Sequence, residues 1–115
     1  MPRKSVFDMR FGEVYALLVQ KAERKGRTRA EVDALTAWLT GCSPEELASL
    51  AESDASYGEF LEKAPAYNPR AELITGKVCG VQVESIEDPL MKRVRQLDKL
   101  VDELSKGRPL EKIMR

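Results

Sequence analysis

Apolar residues recur at spacings of three and four along most of the chain, which predicts a series of amphipathic helices. The first predicted helix covers residues 11–25, and the longest covers residues 89–106. Three shorter helices are predicted between them, near residues 28–41, 44–52 and 57–64. In the longest helix, Leu90, Val94, Leu97, Val101 and Leu104 step by four and three, which favours packing against the other helices.

Local signals mark where these helices begin and end. Thr28 with Glu31, and Ser43 with Glu46, match the capping box, in which a hydroxyl and a carboxylate satisfy free backbone amides. Asp88 followed by Pro89 is a typical start for the longest helix. Glycines that can adopt a left-handed backbone follow three of the helices, at Gly26, Gly41 and Gly107.

One segment has the alternation of a β-strand, Lys77-Val-Cys-Gly-Val-Gln-Val83, with Cys79, Val81 and Val83 on one face. A lone strand needs a partner, and we expect either the N-terminal Ser5-Val-Phe7 or the same segment of a second subunit. The predicted fold class is therefore mainly α. We expect a single compact domain over residues 1–115, with about five helices and one short extended segment near residues 77–83.

Composition narrows the chemistry and the compartment. The chain has 115 residues, of which 43% are hydrophobic and 33% charged, as in soluble globular proteins. It contains no histidine, which removes the commonest general base and most familiar transition-metal sites, and we expect no cofactor. No stretch is apolar enough for a membrane span or a secretory signal. The two cysteines form no Cys-x-x-Cys pair, so we expect a cytoplasmic protein.

The net charge of zero conceals separate blocks. Residues 1–29 carry eight basic and three acidic side chains, and residues 30–66 carry one basic and eight acidic side chains. Residues 89–115 are basic again, with eight basic and four acidic side chains. Such blocks can pair within the chain, pair between subunits, or face separate partners, so a homodimer stays open.

The densest basic run comprises Lys21, Arg24, Lys25, Arg27 and Arg29. Its simplest interpretation is a solvated surface at a helix end, where cations are favourable. The functional alternative is an anion patch for phosphate or nucleic acid. Nucleic-acid binding is disfavoured because the run lacks interleaved aromatic residues, and because the predicted helix 44–52, which resembles a recognition helix, carries only acidic charge.

Two carboxylate pairs, Glu59 with Glu62 and Glu84 with Glu87, could hold magnesium for nucleotide hydrolysis, since oxygen ligands suit that metal. Helix starts explain most of these carboxylates without a metal, so no metal ligand is assigned. Cys79, beside Gly80, is a candidate reactive thiol, although a buried thiol that packs as a small apolar group is favoured for both Cys79 and Cys42.

Several longer strings have a familiar combination. They are Lys21-Ala-Glu-Arg-Lys-Gly-Arg-Thr28, Trp38-Leu-Thr-Gly41, Gly76-Lys-Val-Cys-Gly-Val81, Ile86-Glu-Asp-Pro-Leu-Met91 and Leu97-Asp-Lys-Leu-Val-Asp-Glu-Leu104. With these strings the chain resembles, over essentially its whole length, a small bacterial family called domain of unknown function 2200. The resemblance implies a compact, mostly helical bacterial protein, and it transfers no catalytic residue.

The sequence therefore favours a non-catalytic cytoplasmic interaction or structural module that could self-associate. One alternative is binding of a phosphate ligand or nucleic acid through the basic run. A second is a carboxylate-dependent, magnesium-dependent nucleotide hydrolase. No catalytic residue is assigned for either alternative.

Overall fold

Helices make up most of the chain in the computed structural model, which describes residues 6–64, 66–78 and 80–114. Short 3-10 turns occupy Val6–Asp8, Pro69–Leu73 and Val83–Ser85. The mainly α class is confirmed. In the described part of the chain the α-helices are α1 (Phe11–Glu23), α2 (Arg29–Thr40), α3 (Pro44–Glu52), α4 (Tyr57–Glu62), α5 (Pro89–Ser105) and α6 (Leu110–Ile113).

Helix α5 is the centre of the core. Its seam residues Val94, Leu97, Val101 and Leu104 are buried, and Leu100 widens the apolar face. This face packs against α1, α2 and α4, so the prediction that the seam packs within the chain is confirmed. Burying each of these side chains contributes about 1.5–3 kcal/mol. The seam therefore supplies a large share of the energy that holds the helices together.

The predicted helix ends are also confirmed. The Thr28 hydroxyl accepts a hydrogen bond from the Glu31 amide, and the Glu31 carboxylate accepts one from the Thr28 amide at 3.0 Å. Ser43 and Glu46 form the same reciprocal pair at the start of α3. Gly41 ends α2 with φ of +81°, a left-handed conformation that favours glycine. These starts and stops are fixed by residues a few positions apart, which is why the sequence predicts them.

The extended segment differs from the prediction. Instead of one strand, it forms a small antiparallel hairpin of β1 (Lys77–Val78) and β2 (Val81–Gln82). Gly80 has φ of +76°, which reverses the chain between the two strands and makes a continuous strand impossible. The two strands therefore pair with each other, and the expected pairing with the N-terminal segment is wrong for its described residues. Val6 and Phe7 belong to a 3-10 turn instead, and Ser5 lies outside the described residues.

The N-terminal segment holds the start of α4 in place. The Tyr57 amide donates to the Met9 carbonyl at 2.7 Å, and the Phe11 amide donates to the Ala55 carbonyl at 2.8 Å. Helices α1 and α3 also approach closely. A Cβ at Gly12 on α1 would clash with the Ala51 carbonyl on α3, so only glycine permits this approach. Both contacts fix α3 and α4 relative to α1. In the described residues, no helix combines the length and the apolar character needed to cross a bilayer.

Candidate functional site

A groove of about 440 Å³ lies between α3 and α4. Its walls come from the exposed side of α3, the connection that follows, and the first and last turns of α4. The α3 helix is held mainly by one buried side chain, Leu47, so most of its surface faces outward. The residues that line the groove are Cys42, Glu46, Ser49, Leu50, Ala55, Glu59, Phe60 and Lys63.

The floor of the groove is apolar. Phe60 is buried, and the centroid of its ring lies 4.4 Å from that of the Phe11 ring, so the floor is continuous with the core. Leu50 is half-buried beside it. Cys42 is buried as predicted, and burial raises the pKa of its thiol above the ordinary value. Such a shift favours the neutral thiol, which packs here as a small apolar group.

The rim of the groove is mainly acidic. Glu46 takes part in the capping box of α3, and Glu59 lies near the single basic rim residue, Lys63, at 3.7 Å. Two further exposed carboxylates of α3, Glu45 and Glu52, form no ion pair with any described residue. Neither residue lines the groove, but both add negative charge to the exposed surface of α3.

Most cations of the predicted basic run form ion pairs within the chain. Lys21 on α1 pairs with Asp102 on α5 at 3.3 Å, and Arg29 lies 3.9 Å from Asp33. Of the five residues in the run, Arg24 and Lys25 are exposed and form no ion pair with a described residue. Three of the five cations are thus engaged in ion pairs within the chain.

Arg27 has a structural role. Its guanidinium forms a bidentate pair with the Glu31 carboxylate, and the hydrogen bond from Arg27 holds the pKa of Glu31 below its ordinary value. The same guanidinium donates to the carbonyl of Arg108 at 3.1 Å and lies 3.5 Å from the carbonyl of Leu104. Arg27 therefore connects the start of α2 to the C-terminal end of α5.

The two predicted carboxylate pairs lie in different parts of the fold and make different contacts. Glu59 lies on the rim of the groove, whereas Glu84 accepts hydrogen bonds from the Gly76 amide at 2.9 Å and the Gln82 side chain at 2.7 Å. These hydrogen bonds lower the pKa of Glu84 and brace the hairpin. No group of three or more His, Cys, Asp or Glu side chains suited to a metal forms within residues 6–64, 66–78 and 80–114. The candidate thiol Cys79 lies outside the described residues.

Sequence reasoning missed the groove. The functional role that the sequence suggests for α3 is that of a DNA-reading helix, which its acidic charge disfavours. The available signal was the weak inner face of α3, which has one fully buried residue, together with the polar stretch 52–56 that separates it from α4. A short amphipathic helix that buries so little leaves space beside its neighbour.

The fold is that of a small, mainly α-helical protein with a groove between α3 and α4. The chain belongs to the family described as an uncharacterized protein conserved in bacteria (DUF2200), whose model matches residues 5–115. It is also similar to a crystal structure of an uncharacterized protein, SP1917, with 42% sequence identity and a TM-score of 0.91. That similarity covers 97% of this chain and 93% of the other. No curated protein matches the chain.

Proposed function

We propose that the protein is a non-catalytic interaction module that binds a basic amphipathic helical segment of a partner protein in the groove between α3 and α4. The single observation that supports this proposal is the combination of an apolar floor with an acidic rim. The floor of Leu50 and Phe60 suits an apolar anchor. The carboxylate of Glu46 on the rim would attract lysine or arginine that flanks the apolar anchor, and the exposed Glu45 and Glu52 add negative charge elsewhere on α3.

The setting we propose is the cytoplasm. Support comes from Cys42, which is a free, buried thiol, as is usual in a reducing compartment.

The phosphate-binding alternative has less support. Of the five residues in the basic run, Lys21, Arg27 and Arg29 are engaged in ion pairs within the chain. The remaining two, Arg24 and Lys25, would provide a weak, non-specific attraction for a polyanion. The hydrolase alternative has no cluster of carboxylates among the described residues on which to place a metal.

The test uses two fluorescein-labelled synthetic peptides of about 18 residues, each patterned as an amphipathic helix. One contains leucine and lysine, and the other contains leucine and glutamate in the same order. We expect fluorescence anisotropy to show saturable binding of the lysine peptide, weakened by added salt, and no saturable binding of the glutamate peptide.

Two matched variants locate the binding surface. Ser49→Arg places a long cationic side chain in the groove, whereas Ala48→Arg adds the same charge at an exposed position of α3 outside the groove. Arginine favours helix, so we expect both variants to fold, as circular dichroism can confirm. Ser49→Arg should weaken binding about tenfold and Ala48→Arg no more than about twofold.

Three results would overturn the proposal. The first is an equal loss of lysine-peptide affinity in Ser49→Arg and Ala48→Arg, because general electrostatic repulsion would then explain both. The second is equally tight binding of the glutamate peptide. The third is a dimer in sedimentation equilibrium that Ser49→Arg dissociates and Ala48→Arg preserves, because the groove would then belong to a second copy of this chain.

A further inference from the structure

Beside the first turns of α5 lie two clefts of about 360 Å³ and 420 Å³, which share no lining residue with the α3–α4 groove. The first lies between α5 and the segment around the Pro69–Leu73 turn. The second lies beside Glu62 and Asp88. Pro89 and Arg93 line both clefts, so Arg93 stands where they adjoin.

The first cleft has a fixed polar frame. Gln96 is only 3% exposed, and its side chain accepts a hydrogen bond from the Tyr67 hydroxyl and donates one to the Ala71 carbonyl at 3.2 Å. The Asn68 side chain donates to the Trp38 carbonyl at 3.0 Å, which attaches the same segment to α2. The Tyr67 ring is therefore held in one position on α5 before any ligand arrives.

Arg93 lies on this frame with its charge unmatched. The centre of its guanidinium is 4.1 Å from the centroid of the Tyr67 ring, and one nitrogen donates to the Leu61 carbonyl at 2.6 Å. Neither contact supplies a negative charge, and no described carboxylate lies within ion-pair distance of Arg93. Among the other cations of α5, Lys92 pairs with Glu72 and Arg95 with Asp98, whereas Lys99 donates to the Lys77 carbonyl at 3.2 Å.

The charges differ between the two clefts. In the second, the carboxylates of Glu62 and Asp88 line the same space as Arg93, which disfavours an anion there. In the first, Arg93 and Lys92 face one carboxylate, that of Glu72. The Glu72 side chain is 81% exposed and lies 4.0 Å from Lys92, at the limit of an ion pair, so an incoming anion can displace it.

We propose that the Tyr67–Arg93 cleft binds a small organic anion, either a carboxylate or a phosphate monoester. The oxyanion pairs with the Arg93 guanidinium and the Lys92 ammonium, and the apolar part of the ligand lies against Pro69 and Pro89. Arginine suits this role because its planar fork can bind two oxygens while it stays stacked on the Tyr67 ring. The volume of about 360 Å³ is in the range of small-molecule sites.

The experiment is a titration of the full chain, labelled with nitrogen-15, followed by proton–nitrogen NMR. Benzoate and phenyl phosphate serve as the carboxylate and phosphate probes, and benzamidinium is a cation of similar shape. We expect saturable shifts of the Arg93 side-chain signal and of the amides of residues 67, 68 and 70–72 with at least one anion. The better-binding anion identifies which oxyanion the site takes, and benzamidinium should cause no saturable shift.

Two conservative variants provide the matched control. Arg93→Lys removes the fork and the stacked plane, so we expect it to weaken anion binding at least about tenfold. Arg95→Lys makes the same change two positions away, on a side chain already paired with Asp98, and should alter binding no more than about twofold. If the spectrum shows that Arg93→Lys is unfolded, Lys92→Met replaces it, with an expected loss of about threefold.

The proposal is wrong if the shifts increase linearly without saturation, since that behaviour indicates general anion association. Equal weakening of anion binding by Arg93→Lys and Arg95→Lys would overturn it as well. Where Lys92→Met replaces Arg93→Lys, equal weakening by Lys92→Met and Arg95→Lys has the same meaning. Saturable binding of benzamidinium at the same signals would show that the acidic residues, not Arg93, dominate the cleft.

Discussion

The basic run at residues 21–29 and the acidic helix α3 are equally conspicuous as charged segments of the sequence, yet the fold uses them in opposite ways. In the basic run, Lys21, Arg27 and Arg29 form ion pairs inside the molecule. In α3, the exposed Glu45 and Glu52 have no such pair among the described residues. The density of charge along a chain therefore does not show whether that charge is available to a partner.

The physical reason for the difference is the position of each segment relative to helix ends. Arg27 lies beside the last carbonyls of α5, where a helix presents partial negative charge and unpaired acceptors. The α3 carboxylates lie on a short helix that buries only Leu47 completely, so no neighbouring element supplies cations to most of them. This comparison can be tested by removing charges one at a time.

The largest effect should come from Arg27→Met. This change removes the bidentate pair with Glu31 and the hydrogen bond to the Arg108 carbonyl at 3.1 Å, so we expect the free energy of unfolding to fall by about 2 kcal/mol. The matched control is Arg24→Met, three residues away and exposed, which should change it by less than about 0.5 kcal/mol. Urea denaturation measures both. Equal effects would mean that Arg27 is as dispensable as its neighbour.

A smaller effect concerns pH. The Arg27 hydrogen bond lowers the pKa of Glu31 in the folded protein, so the associated stabilisation is complete above the unfolded pKa, which is about 4.3. It is lost as the pH falls through the lower, folded pKa. We expect wild type to lose more stability on acidification below about pH 4.3 than Arg27→Met does. Urea denaturation at several acidic pH values tests this, and parallel curves for the two proteins would contradict it.

The smallest effect separates the two ends of α3. Glu45 lies in the first turn, where negative charge is favourable, and Glu52 is the last residue, where it is unfavourable. Glu45→Gln should therefore lower the stability by about 0.3 kcal/mol, and Glu52→Gln should raise it by a similar amount. Thermal unfolding at low salt measures the difference. An increase in the stability of both variants would instead indicate that repulsion between carboxylates dominates the acidic surface.

Features set by neighbouring residues could be predicted from the sequence, and features set by distant residues could not. The capping boxes at Thr28 and Ser43 and the seam of α5 depend on short spacings. The pair between Lys21 and Asp102 joins residues 81 positions apart, and no local pattern encodes it. The α3–α4 groove and the Tyr67–Arg93 cleft likewise depend on how separate elements pack.

The hairpin was mispredicted for a different reason. Its alternation of apolar and polar residues looks continuous from residue 77 to residue 83, and only the conformation of Gly80 divides it into two strands. A glycine inside a strand pattern permits a turn but does not require one. Sequence alone therefore left the wrong choice open.

The capping boxes also bear on the order in which the molecule assembles. Because Thr28 and Ser43 specify helix starts through residues three positions away, α2 and α3 can begin to form before any distant contact exists. The apolar face of α1 packs on α5, which follows all of α2, α3 and α4 in the chain. During synthesis on the ribosome, α2, α3 and α4 can cover part of this face, but the part that meets α5 stays uncovered until α5 emerges, so we expect the late arrival of one helix to complete the core.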